Sequence, residues 1–220
     1  LVNYSLFERY LLTATVRRDG SSRFGTNNRW GTFPSAALAW KVKEESFMKD
    51  IDFVSDLKVR LGYGVTGNQD IGNFRYSQTY AINIKQGTEF GGVFYPGYNI
   101  TGIANPNLKW EETAQFNFGI DYSLLKNRIR GSLYLYHKKT SNLLLTIDAI
   151  QPAVSSTYLD NIGEMTNKGI EFTINASVID SKDFSWNTNF NIAYNKNEVT
   201  KLYNGKDIIY GKVSGAGAYG

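Results

Sequence analysis

The chain has no cysteine, a single histidine, four prolines in 220 residues, and no apolar run long enough to cross a bilayer as a helix. Each absence removes a class of protein. Without thiols there is neither a disulfide framework nor a cysteine-ligated metal site. With His137 alone a multi-histidine metal centre is impossible, and a Ser-His-Asp triad would have to use a residue set among Tyr136, Lys138 and Lys139. The nucleophile elbow G-x-S-x-G is missing too. No apolar stretch approaches the roughly 18 residues of a membrane helix. The opening LVNYSLFERY has neither the basic start nor the apolar centre of a secretory leader. Net charge is only +4, and Arg17, Arg18, Arg60, Lys109, Arg128 and Lys168 lie in separate segments, so no nucleic-acid patch is formed.

What the chain does contain favours strands and turns. It is 42% hydrophobic, with fifteen Tyr, thirteen Phe and twenty-one Gly, and it has no long run of helix formers. The clearest stretch is Trp110 to Lys139. Phe116, Phe118, Ile120, Tyr122 and Leu124 share one parity, and Gln115, Asn117, Gly119, Asp121 and Ser123 the other. After a polar break at Lys126 and Asn127, Ile129, Leu133 and Leu135 alternate with Arg128, Arg130, Ser132 and Tyr134. A period of two on both sides of a short break predicts an antiparallel hairpin with one apolar and one polar face.

The same period recurs in Tyr10 to Arg18, with an extension back towards Ser5, and in Phe33 to Val42, Leu57 to Thr66, Lys168 to Ile179 and Ser185 to Asn195, giving about seven strands. Lys43 to Asp56 breaks the period and reads as a short helical turn. Gly67 to Lys109 reads as one large loop with local hairpins, including a strand-like patch at Tyr76 to Ile84, and Thr140 to Asn167 as another long connection. The tail to Gly220 has no clear period. Alternating strand direction puts Gly20 to Thr32, Gly67 to Lys109, Thr140 to Asn167 and the tail on one side. The Lys43 to Asp56, Lys126 and Asp180 to Phe184 connections, mostly short, fall on the other. Outer-membrane barrels have this asymmetry, and about 9 to 11 tilted residues per strand suffice to cross. Polar faces rich in Asn, Gln, Arg and Lys suit a wet lumen. The expectation is an all-β, antiparallel up-and-down transmembrane barrel wall, with lipid against the apolar face. The alternative is a soluble β-rich binding domain whose sheet has one solvated face.

Several motifs carry chemistry elsewhere. Gly62 to Gly67 matches G-x-G-x-x-G with Glu89 beyond it, but no helix period follows, and a dinucleotide site needs that helix N-terminus. The glycines read as small lumen-facing positions, and no cofactor or metal is expected. Glu111 with Glu112, and Asp160 with Glu164, are close in sequence without any sign of convergence on a cleft, so no enzyme is expected. His137 reads as a strand-end histidine near an interface. Trp40, Trp110 and Trp186 fall near strand ends, where girdle anchoring at the membrane interface is expected, and Phe33 lies at a strand end too. Trp30, Phe94, Tyr95 and Tyr98 sit in loops and are candidate ligand contacts, by stacking on a sugar ring for instance, or else pack the loops on themselves. Asn99-Ile100-Thr101 and Asn175-Ala176-Ser177 fit the glycosylation sequon, which carries no meaning in a bacterial outer membrane; Asn175 is expected to face the lumen.

Six stretches together resemble the SusC/RagA group of TonB-dependent outer-membrane transporters of Bacteroidetes. They are RRDGSSRFG (Arg17 to Gly25), RWGTFPSAALAW (Arg29 to Trp40), LKVRLGYGVTGNQ (Leu57 to Gln69), NPNLKWEET (Asn105 to Thr113), NKGIEF (Asn167 to Phe172) and NIAYNKNEVTKL (Asn191 to Leu202). The resemblance implies a 22-stranded barrel around an N-terminal plug, driven through TonB, ExbB and ExbD and capped by a SusD-like surface lipoprotein, importing oligosaccharides or peptides. It also implies that residues 1–220 are a partial barrel domain, without signal peptide, plug, TonB box or final strands, whose wall the remainder of the same barrel completes. A passive porin or a surface-adhesin barrel is the alternative among membrane proteins.

Overall fold

The computed structural model describes residues 1–150, 152–155 and 157–202. Eight strands pair antiparallel in chain order into one sheet: β1 (Val2–Leu6), β2 (Tyr10–Gly20), β3 (Trp30–Lys41), β4 (Val54–Asn68), β7 (Glu111–Leu124), β8 (Ile129–Ser141), β11 (Glu164–Asp180) and β12 (Ser185–Lys201). Two hairpins stand apart from it, β5 (Thr79–Phe90) with β6 (Val93–Gly102), and β9 (Leu144–Asp148) with β10 (Thr157–Asn161). Among the described residues no helix is long and apolar enough to cross a membrane.

The alternation read from the sequence becomes a two-faced wall. One row of directly paired residues runs Tyr4, Leu12, Leu38, Leu61, Phe118, Leu135, Ile170, Tyr194 across all eight strands. The neighbouring row on the other face runs Asn3, Thr13, Ala37, Gly62, Asn117, Tyr136, Gly169, Asn195. Cross-strand partners share a face, so an apolar row and a mostly small or polar row are opposite sides of one sheet. Gly62 and Gly64 lie in the polar face opposite Ala37 and Ser35, within an extended strand and with no helix behind them. The dinucleotide reading therefore has no structural basis.

The register also staggers. The row holding Leu6 and Tyr10, which close the β1–β2 turn, continues through Trp40, Val59, Ile120, Leu133 and Phe172 to Ile192, seven residues beyond the Ser185 start of β12. A stagger that accumulates in one direction is what tilted strands of a closing barrel require.

Connections sort by side with one exception. Phe7 to Arg9, Leu125 to Arg128 and Ser181 to Phe184 are short, but Val42 to Phe53 on the same side is longer than Ser21 to Arg29 opposite; the other side includes both extra hairpins. Lys43 to Asp56 forms two single 3-10 turns, Val42–Glu44 and Ser46–Met48. They are fixed by the Glu45 carboxylate, which accepts hydrogen bonds from Tyr10 Oη (2.6 Å), Arg9 Nη1 (2.8 Å) and Trp40 Nε1 (3.0 Å). Lys43 Nζ in turn donates to the Met48 and Ile51 carbonyls.

Three expectations need correction. The main sheet has eight strands, since Val2–Leu6 folds back on β2 through Phe7 and Glu8, both at positive φ (50° and 55°), where the sequence offers no Gly or Asn. Trp110 is not a girdle residue: it is 5% exposed and packs in a core with Phe24, Phe33, Ile71 and Leu108. Phe33 is buried in the same place rather than at a lipid interface. The reason is local. β3 and β4 pair only up to Ser35 and Gly64, next to Pro34, which has no N–H to continue a ladder, and where they part the Phe33 ring lies against Gly31 and Gly67. Trp40, stacked on Tyr10 at 6.3 Å, and Trp186, 52% exposed, lie on the apolar face near short turns, as girdle residues do. The aperiodic tail is strand as far as Lys201; residues 203–220 lie outside the described residues.

Candidate functional site

The long-loop side is knit together by Asn105 to Glu112. Asn105 and Pro106 start a turn in which Asn105 Oδ1 accepts from Asn107 N (3.2 Å) and Asn105 O from Leu108 N (3.2 Å). Such a turn uses the fixed φ of Pro and the side-chain oxygen of Asn. Asn105 Nδ2 then donates to Leu159 O and Asp160 Oδ1 (3.0 Å each), and Asn28 Nδ2 donates to Asn107 O (3.0 Å). Lys109 exchanges two backbone hydrogen bonds with the Asn161 side chain. Leu108 is fully buried, and the Trp110 indole lies 5.3 Å from the Phe24 ring and 5.4 Å from Phe33. The β2–β3, β4–β7 and β8–β11 connections thus share one core at the rim.

Three of the four acids singled out in the sequence have side-chain partners here. Glu111 accepts from Asn68 Nδ2 and Leu144 N (both 3.3 Å), Asp160 from Asn105 and from Asn161 N (2.8 Å), and Glu164 pairs with Lys139 at 2.8 Å.

The four candidate aromatics divide into two places. Phe94, Tyr95 and Tyr98 all lie on β6, across from Glu89, Thr88 and Ile82, and each is at least half exposed. Trp30 begins β3, with the Arg18 guanidinium 5.2 Å from its ring centroid and Gly20 beneath it. The hairpin turns at Gly91-Gly92 (φ 60° and 76°), a dipeptide whose left-handed preference signals a two-residue turn between Phe90 and Val93. A cavity of about 490 Å³ lies between this hairpin's base and β9–β10, lined by Asp70, Arg75, Thr101, Leu144, Thr157 and Leu159 among others. Among the described residues, none of the four candidate aromatics lines it. The sequence marks those lining residues only as loop.

The polar face is a hydrogen-bonded wall. Tyr134 Oη donates to Asn117 Oδ1 (2.7 Å), and Asp121 bridges Arg60 (2.7 Å) and Lys58 (3.2 Å). Ser132 meets Thr173 at 2.9 Å, and Asn189 meets Asn175, which lies on this face as expected, at 3.0 Å. Side chains that satisfy one another across strands while remaining partly exposed suit a wet face rather than a packed core.

The relatives agree with this geometry. Residues 1–216 match the family model described as TonB dependent receptor-like, beta-barrel. The chain is 47% identical over 212 residues to the TonB-dependent receptor SusC of Bacteroides thetaiotaomicron, covering 95% of this chain and 21% of that protein. It is 43% identical over 204 residues to a TonB-dependent receptor of Formosa agariphila, covering 91% and 19%. Among solved structures, the RagAB peptide importer in the open-open state superposes with a TM-score of 0.86 at 29% identity, over 97% of this chain and 23% of that one. The closed-closed state gives 0.82 over 93% and 22%. The chain spans about a fifth of the length of the curated relatives it matches. With its staggered two-faced sheet, short turns on one side and knitted loops on the other, the chain belongs to the TonB-dependent receptor β-barrel family of outer-membrane proteins.

Proposed function

We propose that this chain is part of the wall of a TonB-dependent active importer of glycans or peptides. The observation that carries this reading is the 47% identity to a TonB-dependent receptor across 95% of the chain. The two-faced sheet supports it: apolar rows toward lipid, hydrogen-bonded rows toward a lumen. The remainder of the same barrel completes the wall. A plug and a TonB-contacting segment couple it to TonB, ExbB and ExbD, and a SusD-like lipoprotein covers the loop side, a pairing that the two-component RagAB neighbours favour. Phe94, Tyr95 and Tyr98 offer exposed rings to substrate on that side, and Trp30 a fourth from the start of β3. The reading assigns this chain no catalytic step and no cofactor.

The test is uptake of labelled oligosaccharides and peptides by cells carrying the full-length gene, with and without a protonophore. Uptake of one substrate class should fall to the level of a gene deletion once the proton-motive force is dissipated. Uptake that needs the gene but ignores the protonophore would overturn energy coupling and favour a passive porin.

A further inference from the structure

Next to the apolar row that ends in Ile170 and Tyr194, the following row on the same face runs Phe116, His137, Lys168, Lys196 in direct register. We infer that this outward face of β8, β11 and β12 binds the phosphorylated headgroup of an outer-leaflet lipid, with an acyl chain in the groove beside it. The inference rests on the outward, lipid-facing assignment of the apolar face, and not on import.

Depth is the first argument. Lys139, Lys168 and Lys196 lie ten, twelve and eleven residues along their strands from the short-turn ends at Ile129, Asp180 and Ser185. About 9 to 11 tilted residues cross the hydrocarbon, so the three ammonium groups emerge together at the outer interface. On the loop-ward side of this face Lys139, Lys168, Lys196 and Lys201 outnumber Glu112, Glu164 and Glu198. Glu164 is taken up by Lys139 (2.8 Å) and Glu198 by Lys196 (3.1 Å). Among the described residues no carboxylate lies within ion-pair distance of Lys168, the middle cation.

Shape is the second. A groove of about 440 Å³ opens on this face, floored by Phe116, Phe118, Leu135, Ile170 and Tyr194 and bordered by His137, Lys168 and Lys196. An apolar channel with ammonium groups at its outer end matches an acyl chain capped by phosphate. Lysine at an interface also snorkels for its own hydration, but snorkelling requires neither clustering nor an apolar channel, and it does not discriminate phosphate.

The experiment uses the full-length transporter, extracted from outer membranes in mild detergent, delipidated, and titrated with lipid A or its dephosphorylated counterpart while native mass spectrometry counts bound lipid. Wild type should bind lipid A at least fivefold more tightly than the dephosphorylated form. The Lys168→Gln/Lys196→Gln protein should lose at least fivefold in lipid A affinity, and Lys138→Gln, on the luminal parity of β8, should match wild type. Heat-modifiable migration confirms that each variant has assembled. Should the double variant not assemble, Lys168→Gln alone gives the loss and Lys168→Arg the retention. Equal binding of the two lipids, a change below fivefold in the neutral variants, an equal loss in Lys138→Gln, or an acidic polypeptide in place of lipid on the purified protein would each overturn the inference. No substrate is present, so a failed uptake assay leaves this result standing, and the reverse holds.

Discussion

Three glycines of this sheet are covered by rings from the neighbouring strand. Gly169 is paired with Tyr136, Gly131 with Tyr122 and Gly20 with Trp30, and in each pair a side chain added at the glycine would collide with the ring. A strand glycine has no side chain to pack, and a cross-strand aromatic restores the lost contact. Gly169→Val should therefore cost about 1–3 kcal/mol through overpacking, read as a lower denaturant midpoint of the full-length barrel in lipid, and Tyr136→Ala in the same protein should recover part of the loss. Glu45 makes a second prediction. Its carboxyl is held below the usual glutamate range, first by the Tyr10 hydroxyl hydrogen bond, then by the Trp40 indole and the Arg9 charge. A depressed folded-state value means stabilisation that is complete above the ordinary glutamate range and disappears as pH falls through the lowered value. The stability gap between wild type and Glu45→Gln should thus be present at neutral pH and close on acidification; a gap that widens toward low pH would contradict the assignment.

Among the elements, β7 and β8 show how far periodicity reaches. Their hairpin pairs Leu124 with Ile129 and Glu112 with Ser141, so the strands run beyond the alternation that reveals them. Phe118 and Leu133 lie on the apolar face, Asn117 on the polar face. In the full-length protein Phe118→Arg or Leu133→Arg should reduce assembly, by roughly 2–4 kcal/mol for a site near the midplane, while Asn117→Arg leaves the folded fraction near wild type. Equal effects at both parities would remove the lipid and lumen division. Turns were less legible than strands. Leu125, Lys126 and Asn127 all take positive φ, as do Phe7 and Glu8, and of these five only Asn127 is of a type that favours a left-handed turn. The first of these turns was visible only because strong alternation flanks it; the second hid the short β1.

At the scale of the whole molecule, the sheet ends, among the described residues, in two unpaired edges, β1 and the seventeen-residue β12, every residue of which is exposed. Free N–H and C=O groups along such edges, together with an apolar face open to solvent, describe a wall that needs its other strands and its lipid. The sequence by itself determined the strand period, the two faces, the sorting of long and short connections and, through its motifs, the family, because each is a local pattern or a one-dimensional signature. Only the tertiary structure decided which cross-strand neighbours meet. It turned Trp110 and Phe33 inward to a shared core where β3 and β4 part, separated Trp30 from the β6 aromatics, and set His137, Lys168 and Lys196, far apart in the chain, into one row above an apolar groove. Register depends on pairing between distant segments, and no single segment records its partner.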